Sequence, residues 1–139
     1  MARFALALLS MTLAGCAATH PITPQLASSE ADFAHARTID ISLANFSFTP
    51  RHLQLEAGVP YALHFVDTAS GGHDFTAPEF FAAARIARED AAAVAGGQIE
   101  LAGGEERTIR LVPAAGTYKL ACTHLGHAAL GMTGDIVVR

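Results

Sequence analysis

Cysteine is scarce in this chain, charge is sparse, and no long block of either sign occurs; each shortage removes a class of function. The 139 residues contain two cysteines, Cys16 and Cys122. Charged side chains make up 16% of the chain, thirteen acidic against nine basic, for a net charge of −4, and the two signs are interspersed. Such a surface has no electrostatic footprint for phosphate backbones, so no nucleic-acid partner is expected. The apolar run over residues 4–13 is shorter than the roughly 20 residues that a membrane-spanning helix needs. There is no His-x-His pair, no methionine-rich or histidine-rich tract, and no internal repeat. What is present, 51% hydrophobic residues in a chain of this length, suits one folded domain.

Arg3, the apolar residues 4–13 and the small residues behind them form an export signal. The segment closes on Leu13-Ala14-Gly15-Cys16, which resembles the bacterial lipoprotein box. The resemblance implies removal of residues 1–15, lipid on Cys16 at the new N-terminus, and anchoring to a membrane surface. Each buried acyl methylene would contribute about 0.8 kcal/mol. Ala17 after the cysteine implies outer-membrane sorting in a Gram-negative cell, hence a periplasm-facing lipoprotein of the cell envelope. Cys122 is then a lone thiol without a disulfide partner, and Met132 the one methionine left in the mature chain. Residues 16–37, mostly Pro, Ser, Thr and Ala without periodicity, read as a flexible tether, and residues 38–139 as the folded domain.

Within that domain Ile39, Ile41 and Leu43 alternate with polar residues, as do Leu53 and Leu55, and residues 61–66 form a third run bounded by Gly58-Val59-Pro60 and a loop over 67–72. Further strands are expected at 98–101, 106–112, 117–122 and 133–139. The alanine-rich stretch 78–95, opened by Pro78 and closed by Gly96-Gly97, predicts a helical excursion. Short strands separated by turn signals indicate an all-β fold, an antiparallel β-sandwich with a short helical insertion.

The chemistry concentrates after the strand at 117–122, where Tyr118, Leu120 and Cys122 share one face and direct the thiol inward. The next ten residues bring His124, His127 and Met132 into one short loop. A buried thiolate with two imidazoles binds copper trigonally, and a weak axial methionine sulfur completes a blue-copper set. The remaining imidazole must come from elsewhere, and His73 is the candidate. His124 competes with His127, but a single residue between Cys122 and His124 leaves too little backbone for both to reach one metal. A carboxylate accepting the free ring N–H of His73 would fix its orientation, and of the flanking Asp67 and Asp74 the assignment goes to Asp74; two solvated turn aspartates are the alternative.

The segment CTHLGHAALGM resembles the single-loop pattern CxxxxHxxxxM of the plastocyanin and azurin cupredoxins. FSFTPRHLQLEAGVPY, GGHDF, YKLAC and GMTGDIVV extend the resemblance over roughly residues 38–139. It implies a Greek-key β-sandwich holding one type 1 copper ion, cycling between Cu(I) and Cu(II), with His73 from one loop and Cys122, His127 and Met132 from another. Many relatives have proline where this chain has His124 or Leu125. The function implied is single-electron transfer rather than catalysis, since the chain offers no nucleophile with its base and no open metal position for water. Redox partners would dock transiently near His127, over Leu125, Ala128, Ala129 and Leu130. The alternative is an envelope copper carrier or copper-tolerance protein that uses the same ligands without redox turnover.

Overall fold

The computed structural model describes residues 20–29, 31 and 33–139. The export signal, Cys16 and Ala17 lie outside the described residues. No helix among the described residues is long and apolar enough to cross a membrane.

Among the described residues, eleven strands and one α-helix follow in the order β1 (Gln25–Leu26), β2 (Arg37–Ala44), β3 (Ser47–Thr49), β4 (His52–Leu55), β5 (Tyr61–Asp67), β6 (His73–Thr76), α1 (Pro78–Ala83), β7 (Arg85–Ile86), β8 (Gln98–Leu101), β9 (Glu106–Val112), β10 (Gly116–Ala121) and β11 (Thr133–Val138). They form two sheets, ordered β1-β7-β9-β5-β2-β3 and β4-β11-β10-β6-β8. The β-sandwich is therefore as expected, with one refinement. Three pairs, β1–β7, β2–β5 and β4–β11, run parallel and the rest antiparallel. Alternation reports which face of a strand is buried and is blind to the direction of its neighbour.

Period-two burial explains how the sheets meet. Along β5, Tyr61, Leu63, Phe65 and Asp67 all point inward while Ala62, His64 and Val66 are half-buried. Phe75 on β6 receives Phe65 edge-on at 4.9 Å and Phe48 at 5.7 Å between ring centroids, so one aromatic cluster joins the sheets. Each such fully buried side chain contributes roughly 1.5–3 kcal/mol of transfer free energy. All four residues of β6 are buried, because this strand is covered on both faces.

Two expectations are corrected. The helical excursion over 78–95 is one short helix followed by an extended pair and a 3₁₀ turn at Ala91–Val94. Ala84 is extended (ψ 154°), and Arg85 and Ile86 pair with β9; burial of Ile86 outweighs the helical preference of the alanines around it. Part of the segment read as a tether, between His20 and Ala27, is hydrogen-bonded to the domain. The His20 and Ile22 N–H groups donate to the Gly96 and Ala95 carbonyls, and β1 adds a parallel edge to β7. Sheet edges accept such additions because their N–H and C=O groups are otherwise unpaired.

Candidate metal centre

At one end of the sandwich, strand termini deliver the residues that the sequence singled out. His73 is the first residue of β6 rather than part of a loop, and it is fully buried. Cys122 follows β10 and continues its inward face after Leu120, also with no exposed surface. Met132 immediately precedes β11 and is buried as well. Backbone hydrogen bonds tie the loop between them. The Cys122 N–H donates to the Met132 carbonyl at 3.0 Å, and the Met132 N–H to the His127 carbonyl at 3.0 Å. Gly126, at φ +83°, supplies the left-handed step that turns the chain into His127.

Side chains follow the backbone. Cys122 Sγ and His127 Nδ1 are 3.5 Å apart, and the rings of His73 and His127 lie 5.0 Å apart between centroids. His124 turns outward: its Nε2 meets Glu100 Oε1 at 2.8 Å, and its ring stacks at 6.3 Å on His73. The structure thus brings His73, Cys122 and His127 together and leaves His124 beside them, hydrogen-bonded to a carboxylate. Burial pushes the Cys122 thiol above its ordinary range, opposed by backbone N–H groups of Asp74 and His124 that point at the sulfur. Burial, with the neighbouring His73 and His124, lowers the His127 pKa and favours the neutral imidazole that a metal requires.

The assignment of Asp74 as the partner of the His73 ring is corrected. Asp67 takes that place, its Oδ2 lying 2.9 Å from His73 Nδ1, while Asn45 Oδ1 lies 2.9 Å from Nε2. A 180° turn of the imidazole about Cβ–Cγ exchanges Nδ1 with Cδ2 and frees one nitrogen on the opposite edge, leaving the other on the side of Asp67 and Asn45. Asp74 instead receives the Thr123 N–H on both oxygens at 3.0 Å, the Thr123 hydroxyl at 2.6 Å and the Thr76 hydroxyl at 2.7 Å. It pins the residue after Cys122 to β6. Among the described residues, no buried side-chain nitrogen or oxygen lacks a partner.

The inward phase of Asp67 was legible in the sequence, since it follows Tyr61, Leu63 and Phe65, but its pairing with His73 was not. Asn45 and Glu100 had no such signal, since they reach the site from other turns and strands. A thiol, imidazoles and a thioether on one loop and one adjacent strand form a soft donor set, suited to copper and unsuited to magnesium or calcium.

Known structures share the fold. The chain superposes on dithionite-reduced auracyanin from the photosynthetic bacterium Roseiflexus castenholzii with TM-score 0.56 at 23% identity, covering 75% of this chain and 98% of that one. Auracyanin B gives TM-score 0.58 at 20% identity over 88% of this chain and 99% of that one. A multicopper oxidase from Campylobacter jejuni gives 0.59 at 14% identity, over 81% of this chain but 31% of the oxidase. No curated protein matches the chain in sequence. Residues 35–139 match the family of copper binding proteins described as plastocyanin/azurin, and the chain, a β-sandwich with one copper cofactor, belongs to that family.

Proposed function

We propose that this protein is a single-electron carrier of the cell envelope, with its copper held by His73, Cys122, His127 and Met132. The observation that carries the reading is the 3.5 Å approach of the buried Cys122 sulfur to His127 Nδ1, on a loop that backbone hydrogen bonds close at Met132. Copper supplies the one-electron chemistry when bound. The chain's own residues do the rest: Asp67 and Asn45 hold the His73 ring, the Thr123–Asp74 bonds fix the backbone beside the thiol, and the buried sulfurs keep water away. A site that moves little between oxidation states exchanges electrons readily. Leu125 and Leu130, both largely exposed, flank His127 and form the apolar rim for a transient redox partner.

The protein loaded with Cu(II) should show an intense visible thiolate-to-copper band that reductant removes reversibly, and Cys122→Ser should abolish it. A band surviving in that variant would refute the site. Fast electron exchange with a small redox protein, combined with slow copper loss to a strong chelator, separates the electron carrier from a copper carrier using the same ligands; the opposite pair of rates favours the carrier. Anchoring rests on Leu13-Ala14-Gly15-Cys16. Labelled fatty acid should enter the full-length chain and be lost with Cys16→Ala, and unchanged incorporation would remove the membrane from the proposal.

A further inference from the structure

Two carboxylates are buried within one residue layer of the copper ligands. Asp67 is 1% exposed and Asp74 is 0% exposed. Neither is neutralised by a cationic side chain of fixed charge: among the described residues their ion-pair contacts are with histidines, Asp67 with His73 at 2.9 Å and Asp74 with His124 at 3.9 Å. Every hydrogen bond to Asp74 and the one to Asp67 Oδ1 comes from an N–H or O–H donor, and a His73 ring that binds metal through one nitrogen carries an N–H on the other. Asp67 Oδ1 receives the Ala69 N–H at 2.9 Å while Oδ2 faces the His73 ring, and Asp74 receives Thr123 and Thr76 as described. A protonated acid would need an acceptor of its own, whereas an ionised one uses all these donors.

We propose that Asp67 and Asp74 set the charge of the copper centre, holding it toward Cu(II) and so giving it a low reduction potential. The proposal rests on the ligand assignment above and adds what tunes it. With the Cys122 thiolate, the two carboxylates place three negative charges around a dication. Reduction takes one positive charge away from that surrounding and leaves the excess of negative charge larger. In a buried, poorly screened setting each carboxylate therefore favours the oxidised ion. Asp67 acts through the His73 ring it holds, which its charge also makes a stronger donor, and Asp74 through Thr123, beside the thiolate. Both are positioning residues whose effect is electrostatic. A protein so biased is matched to a strongly reducing donor and gives its electron up easily.

The test is the reduction potential of the copper-loaded protein, read alongside its visible spectrum, in Asp67→Asn, Asp74→Asn and the charge-preserving Asp67→Glu. Each asparagine variant should keep the thiolate band and raise the potential by at least 59 mV, the equivalent of a tenfold change in the Cu(II)/Cu(I) equilibrium. Asp67→Glu should stay nearer the wild type than Asp67→Asn, and Asp40→Asn, at an exposed carboxylate, should not move the potential. If Asp67→Asn does not fold, Asp74→Asn, whose side chain meets Thr123 and Thr76 rather than a proposed ligand, carries the test alone. A variant that keeps its band with an unmoved or lowered potential overturns the proposal. A wild type without any thiolate band instead defeats the ligand assignment, before either carboxylate is changed.

Discussion

The Phe46 ring meets the His127 ring edge-on, with centroids 5.0 Å apart and planes at 81°. Phe46 belongs to the turn between β2 and β3 and His127 to the loop before β11, so the contact crosses from one sheet to the other. Such a pair contributes about 0.5–1.5 kcal/mol beyond its area. Phe46 is half-exposed, so Phe46→Ala should cost little global stability while loosening the imidazole. The expected result is a nearly unchanged urea midpoint with several-fold faster loss of copper to a chelator. Equal rates in the two proteins would show that the ring does not hold His127.

The two loop histidines make separable predictions. His127→Gly should change the thiolate-copper spectrum strongly and open the site to added imidazole. His124→Ala should leave that spectrum nearly intact, because its Nε2 is committed to Glu100 at 2.8 Å. A reversed pattern in absorption spectra of the two variants would exchange the ligand assignment.

Phe75 joins the sheets through Phe65, Phe48 and Phe81, with centroid distances of 4.9, 5.7 and 6.1 Å. Phe75→Ala should destabilise the fold by about 3–5 kcal/mol, since the flanking strands cannot collapse into the space. Urea unfolding measures this, and a loss below about 1 kcal/mol would mean that the cluster repacks.

His64, away from the copper end, gives a pH test. The hydrogen bond from its Nδ1 to Asp40, at 2.9 Å, raises its pKa above the ordinary imidazole value, with burial opposing and Glu106 assisting. A folded pKa above the unfolded one adds stability that is complete below about pH 6.5 and disappears as pH rises through the folded value. The wild type should therefore exceed His64→Gln in urea midpoint by more at about pH 5.5 than at about pH 8.5. A difference independent of pH would assign the effect of His64 to packing alone.

Local signals carried much of this structure. The spacing of Cys122, His127 and Met132 is one loop, and the alternation of Tyr61, Leu63 and Phe65 is one strand, so both could be read from neighbours in the chain. The partners of His73 could not be read that way. Asp67 lies at the far end of β5 and Asn45 in the turn after β2, and only the pairing of those strands brings them to His73. The same limit explains residues 78–95, where pairing of Arg85-Ile86 with Val112 and Leu111 ended a helix that the alanines favoured. It also explains β1, whose extended form depends on the open edge of β7.

The division of labour at the copper end has a mechanical side. His73, Cys122 and Met132 issue from the strands of one sheet, while Asp67 and Asn45, which hold the His73 ring, issue from the other. A slip of one sheet against the other would leave the thiol loop intact but shift the carboxylate and the amide that face the His73 ring. Shear between the layers would thus reach His73 before it reached the loop that joins Cys122 to Met132.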